Sequence, residues 1–197
     1  MSGIPVPNAQ DEFKEIFPLR VIFEEGSSSD VNAQEIVDVP DSDLVITSLQ
    51  KIETPLRLRI ARIGVDAPIR DVGLAADGSM DVPSNPFETG WYEFGPRPGE
   101  IGSAVIAGHV DSPARATAVF ADLDYLVIGD VITIENGEII LSFRVREIRV
   151  YPANADATDI FMSTDGKAHL NLITCSGSWD TKAHQYSERL VVFTDRN

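Results

Sequence analysis

The chain has 197 residues, 43% of them hydrophobic and 8% aromatic, which suits one globular domain with a tail and argues against a second full domain. Sixteen basic residues against 31 acidic ones give a formal charge of −15, and an acidic excess of this size argues against nucleic acid or an anionic membrane as partner. No stretch approaches the roughly 20 apolar residues of a spanning helix, and the N-terminus lacks the basic and apolar regions of a signal peptide.

In chain order, residues 1–54 form an acidic linker or appendage. Met1 to Glu53 holds 3 basic and 11 acidic residues, about half the net charge on about a quarter of the chain. Pro18 and the Ser27-Ser28-Ser29-Asp30 run interrupt any helical or strand period. The body, residues 55–197, opens on Leu56, Leu58 and Ile60 alternating with Arg57, Arg59 and Arg62, which predicts a strand with one wet face. A short second strand, broken by Gly64 and Pro68, follows over residues 63–69. Gly73 to Pro86 is turn-rich, with Asp77-Gly78 as a hairpin signal and a strand expected near Ser79 to Val82. Trp91 to Gly102 reads as a loop dense in aromatics and prolines; Trp91 and Tyr92 either line a groove or plug a barrel end.

Gly102 to Val110 is an apolar run of strand length that ends in Gly108, His109 and Asp111. Ala118 to Leu126 offers a helical turn or two, with Asp122 and Asp124 solvated. Three consecutive strands are expected over 130–135, 138–145 and 145–151, with Asn136-Gly137 turning the first into the second. Ala155 to Met162 reads as a short helix in which Ile160 and Phe161 are core contacts or groove contacts.

The only cysteine, Cys175, stands where the apolar run from Leu170 gives way to the turn formers Ser176 and Gly177. Alternation puts Asn171, Ile173 and Cys175 on one face and Leu170 and Leu172 on the other, with Cys175 at a sheet edge. A lone thiol is either a small buried hydrophobe or, beside a cation, a nucleophile. Tyr186 to Phe193 forms a second β-type run, so a hairpin through a loop over 176–185 would set Cys175 beside Arg189. If the Gly102 run lies parallel to the Cys175 strand, His109 reaches the same rim. Thiolate, imidazole and guanidinium together suit acyl transfer: attack on a carbonyl, proton movement, and donors for the oxyanion. His184 lies in the loop with Trp179 and rivals His109, His169 lies at the far end of its strand, and Asp111 either orients His109 or serves a turn. One cysteine and three scattered histidines lack the ligand spacing of a zinc site, and the glycines match no phosphate loop.

Ala107-Gly108-His109-Val110-Asp111, Leu172-Ile173-Thr174-Cys175-Ser176-Gly177 and Tyr186-Ser187-Glu188-Arg189-Leu190-Val191-Val192, in this order and spacing, resemble the three signature motifs of sortases. The resemblance runs from about Pro55 to the C-terminus, and the His-Val-Asp form is most similar to the class E and F enzymes of actinobacteria and their relatives. It implies a mainly β fold, a closed eight-stranded barrel with a few short helices. It also implies a cysteine transpeptidase cleaving a Leu-Pro-x-Thr-Gly-like sorting signal at Thr-Gly, with Cys175 as nucleophile, His109 as general acid and base, and Arg189 holding the oxyanion or the substrate backbone. Thr174 would complete the oxyanion site, and Asp111, Trp91, Trp179, His184 and Ile160 are further candidates around the substrate. No metal or organic cofactor is implied, and no spaced calcium-ligand loop is visible.

The implied partners are the sorting signal of surface proteins and an amine from a cell-wall peptide or pilin, with the enzyme a monomer on the outer face of the cell membrane. Sortases generally carry an N-terminal anchor, so this chain is read as beginning after it. Residues 1–54 would then be a spacer or, given the apolar Phe13, Ile16, Phe17, Val21, Ile22 and Phe23, an appendage over the active-site groove. A hydrolytic cysteine peptidase on the same barrel and a non-catalytic surface binding module are the alternatives.

Overall fold

The computed structural model describes residues 56–76, 78–112 and 116–197. The expected linker and Asp77 of the expected Asp77-Gly78 turn lie outside the described residues. Eight strands close into one barrel in the order β1-β2-β3-β4-β7-β8-β6-β5, with β1 hydrogen-bonded to β5. The strands are β1 Leu56–Ile60, β2 Val65–Val72, β3 Thr89–Tyr92, β4 Gly102–Ala107, β5 Val131–Glu135, β6 Ile140–Pro152, β7 Ala168–Asp180 and β8 Gln185–Arg196. The pairs β2–β3 and β4–β7 are parallel and the other six neighbours antiparallel. This is the mainly β, eight-stranded closed barrel that the motifs imply. Its helical content among the described residues is one turn, α1 Thr158–Phe161, and two 3-10 turns at Ala61–Ile63 and Leu123–Tyr125.

The alternation in β1 does what a period of two requires. Leu56, Leu58 and Ile60 are buried inside the barrel while Arg57 and Arg59 point outward to Asp66 and Glu135, at 2.6 and 2.9 Å. Both arginines and Asp66 are about half exposed, with Glu135 more covered, so the pairs add little beyond solubility and register. The 3-10 turn after β1 closes on Gly64 at φ +68°, a left-handed position that favours glycine. Contrary to the expected break at Pro68, β2 runs through it. The Pro68 carbonyl accepts from Thr89 Oγ1 on the β3 side, so its missing N–H would also point there, and the β2–β3 ladder starts only at Ile69.

Three other elements differ from expectation. Trp91 and Tyr92 belong to β3 rather than a loop; all four β3 residues are buried, so no alternation marks the strand in sequence. The strand expected at Ser79 to Val82 is a single bridge, Leu74↔Met80, too short to ladder. The two strands expected over 138–151 are one, β6, with a bulge between Val145 and Glu147 that shifts the apparent period. The Asn136-Gly137 hairpin forms, with Asn136 Oδ1 accepting from the N–H groups of Glu138 and Ile139.

The wall β4-β7-β8 is covered on both faces. Its inward side chains, among them Ile106, Leu172 and Val192, join Leu58, Ile60, Phe120, Ile132 and Phe143 in the barrel interior. Its outward side chains, Val105, Ala107, Ile173, Cys175, Val191 and Phe193, pack with Ile160 and Phe161 of α1 in a second cluster. At about 1.5–3 kcal/mol for each large side chain fully buried, this outer layer is as much core as the inner one.

Candidate active site

Cys175 does not lie at a sheet edge. β7 continues past it to Asp180 through a bulge between Ser176 and Trp179, where Gly177 takes φ +79°. The expected loop over 176–185 shrinks to the turn 181–184. Within the ladder, Cys175 is the registered antiparallel partner of Arg189, and Tyr151 of β6 is the registered partner of Arg189 on its other side. Directly opposed residues in such a ladder set their Cβ atoms about 4.5–5.5 Å apart on one face. Cys175, Arg189 and Tyr151 therefore form a row across three strands, on the outer face of the barrel wall rather than in its mouth.

His109 reaches this row by register. The parallel β4–β7 ladder ends at Ala107↔Ile173, and His109 and Cys175 each lie two residues further along their strands. Parallel chains advance together at about 3.3 Å per residue, so the two arrive at one level. The seam beyond the ladder is held by Gly108 N–H donating to the Ile173 carbonyl, 3.1 Å, and by Thr174 Oγ1 donating to the Gly108 carbonyl, 2.8 Å. A Cβ on Gly108 would lie 2.5 Å from the nearest Phe120 ring carbon and 2.8 Å from Val119, so only glycine fits without a shift of both. His109 Nε2 donates to the Pro83 carbonyl, 2.8 Å, which leaves Nδ1 as the acceptor of the neutral ring.

All three groups are buried: Cys175 is 2% exposed, His109 3% and Arg189 0%. Burial pushes the thiol up to about 11; the Arg189 charge opposes this and Asp111 adds to it. Burial also lowers the imidazole, against the Pro83 hydrogen bond and the Asp111 carboxylate, which raise it. Arg189 is lowered by burial and raised by Cys175, but it stays a cation, donating from Nη1 to the carbonyls of Tyr186, 3.0 Å, and Glu188, 2.8 Å. The thiol is thus enclosed, and it is neutral at pH 7. Its alkylation by iodoacetamide should be slow at pH 7 and about tenfold faster for each pH unit until the thiol titrates near 11, because the thiolate reacts and its fraction grows tenfold per unit below the pKa. A plateau near pH 8 would contradict the burial account.

The other candidates separate. Thr174 faces the opposite side of β7 from Cys175, and its hydroxyl is committed to Gly108, so it serves the seam. Of the two readings left open for Trp91, groove or barrel plug, the structure has it buried in the barrel, its Nε1 donating to the Pro96 carbonyl and Arg97 lying over its ring. His184 sits exposed in the turn beyond the Asp180↔Gln185 pair, at φ +51°, too far along the hairpin to rival His109. Ile160 is core, packed in the cluster that holds Cys175. His169 lies at the far end of β7 between Asp195 and Asp165, its ring nitrogens 2.9 and 3.0 Å from their carboxylates. Asp111 Oδ2 accepts from the Tyr186 hydroxyl, 2.6 Å, and Trp179 meets the Tyr186 ring edge-on at 5.2 Å.

Tyr186 and Tyr151 are absent from the sequence-based candidates. Tyr151 comes beside Arg189 only once β6 and β8 are paired; Tyr186 stands three residues before Arg189 in the motif, but nothing in the motif singles out the tyrosine. The Tyr151 hydroxyl donates to Asp159 and accepts from Arg149, and burial first, then Asp159, pushes it up to about 12. Among the described residues no group of three or more His, Cys, Asp or Glu side chains is placed to hold a metal ion, and no helix is long and apolar enough to cross a membrane.

A family model described as the sortase domain matches residues 58–197. Solved structures with the same fold include sortase C-1 from Actinomyces oris, 25% identical over 72% of this chain and 72% of that one, with a TM-score of 0.55. Sortase A from Corynebacterium diphtheriae is 21% identical over 75% of this chain and 62% of that one, TM-score 0.57. A Clostridium perfringens sortase D5 transpeptidase is 24% identical over 76% and 84%, TM-score 0.56. The chain thus spans between 62 and 84% of the length of these three relatives. No curated protein matches it.

Proposed function

This chain belongs to the sortase family, and on that premise we propose that it is a transpeptidase cleaving a Leu-Pro-x-Thr-Gly-like sorting signal between Thr and Gly and passing the acyl group to an amine at the cell surface. The observation that carries the reading is the registered pair Cys175↔Arg189 with His109 at the same level across the β4–β7 seam. The Cys175 sulfur, as thiolate, adds to the Thr carbonyl carbon. The guanidinium, already aimed by its bonds to two carbonyls, stabilises the oxygen as it turns negative. The tetrahedral species expels the glycine amine, which takes a proton from His109, and a thioester remains. An incoming amine gives its proton back to His109, attacks the thioester, and releases the thiolate.

Burial sets the pH dependence of this sequence. With the thiol raised to about 11 and the imidazole below its ordinary value, the neutral pair dominates near neutrality and the thiolate–imidazolium form is minor. Turnover should follow a bell whose two limbs belong to the pair. The His-Val-Asp form supports placement in class E or F, and the family supports a site at the outer face of the membrane, a monomer, and no required cofactor.

Incubating the protein with such a peptide and hydroxylamine or triglycine tests the reading. A transpeptidase gives the amine adduct; free acid alone would indicate the hydrolytic peptidase; an intact peptide with an unreactive thiol across the pH range would favour the packing role that the enclosure of Cys175 also fits.

A further inference from the structure

Resting on that reading, we propose that Tyr186 is a positioning residue that locks the strand pair carrying Cys175 and Arg189 to the turn carrying His109. The β4–β7 ladder stops two residues short of both His109 and Cys175. Past the Gly108 N–H bond to the Ile173 carbonyl, the described backbone bonds of the turn run to its own loop, Phe120 N–H to the His109 carbonyl and Ser112 N–H to the Ala116 carbonyl, so side chains add the remaining ties to the β7–β8 pair. On the inner face Thr174 Oγ1 holds the Gly108 carbonyl. On the far side of His109, Tyr186 donates its hydroxyl to Asp111 Oδ2 at 2.6 Å, across 75 residues of sequence. The same residue receives Arg189 Nη1 on its carbonyl at 3.0 Å, and its ring is held edge-on by its ladder partner Trp179. Tyr186 is thus bonded to the guanidinium through its backbone and to the His109 turn through its side chain. A displacement of one is transmitted to the other through a single residue, and misplacement by about 1 Å costs on the order of a hundredfold in rate where groups must meet in line.

Tyr186→Phe keeps the ring on Trp179 and removes the hydroxyl that makes the tether to Asp111. Relative to wild type, kcat for amine transfer from the sorting peptide should fall at least tenfold with KM within about twofold. Amide hydrogen exchange over 109–112 should accelerate at least tenfold while β1 and β5 keep their protection. Asp111→Ala should match Tyr186→Phe, and Asp111→Asn should recover the larger part of kcat, since its amide oxygen still accepts the phenol proton. The asparagine also removes a negative charge that raises both His109 and Cys175, so its pH–rate bell should move to lower pH. Unchanged exchange over 109–112, exchange that rises equally throughout the barrel, or selective exchange with unchanged kcat would each overturn the proposal. If wild type transfers nothing, the exchange result still decides the tether, and the failure belongs to the transpeptidase reading alone.

Discussion

Cys175→Ala is expected to abolish turnover of a Leu-Pro-x-Thr-Gly peptide outright while leaving the barrel folded. The chain holds no second thiol to substitute for it as the nucleophile that forms the acyl intermediate. The structural cost is small: exchanging a buried thiol for a methyl group removes one heavy atom from the cluster around Ile173 and Val191, on the order of 1 kcal/mol. Lost activity would therefore report lost chemistry, provided thermal unfolding shifts by only a few degrees. Cys175→Ser sharpens the test, since it keeps a side chain of the same connectivity but replaces the thiol with a far weaker acid. Mass spectrometry should show an acyl adduct on the wild-type chain and none on either variant. Measurable cleavage by Cys175→Ala would remove the nucleophile assignment and the mechanism with it.

Arg189→Ala is expected to lower kcat/KM by at least two orders of magnitude, about 2.7 kcal/mol or more of transition-state stabilisation. The guanidinium is wholly buried, and a buried cation costs several kcal/mol unless its surroundings repay it. Here the carbonyls of Tyr186 and Glu188 fix Nη1, and its charge draws the thiol down against burial. Arg189→Lys keeps the charge but loses the planar fork, so it should restore part of the thiol's alkylation rate and little of the turnover. Two effects are thus separable. If Arg189→Ala slows alkylation but not acyl transfer from the thioester, the residue acts on the thiol alone, and its oxyanion role fails. Near wild-type turnover in both variants would dismiss Arg189 from the site.

The alternation of Leu56, Leu58 and Ile60 with arginines was enough to place β1 and its wet face, because a strand half exposed to water repeats every two residues. The same rule put Ile173 and Cys175 on the face opposite Leu170 and Leu172, as the two apolar clusters show. It failed for β3, where all four residues are buried, and for β6, where a bulge breaks the count at Val145. Trp91 was ambiguous between groove and plug for a related reason: an aromatic in a short apolar run carries no mark of which side will be covered.

By itself, then, the amino-acid order determined the family and the strand-rich character and set apart Cys175, His109 and Arg189 as the candidate site, since these depend on local residue types and their intervals. Only the closed barrel decided that Cys175 faces outward under α1 rather than into the mouth, that Thr174 is occupied with Gly108, and that Tyr186 joins the Asp111 turn to the Arg189 strand. Those relations are set by pairing between segments tens of residues apart. A period of two says which residues share a face, but which strands lie beside it, and in what register, is fixed only when all eight edges are satisfied at once.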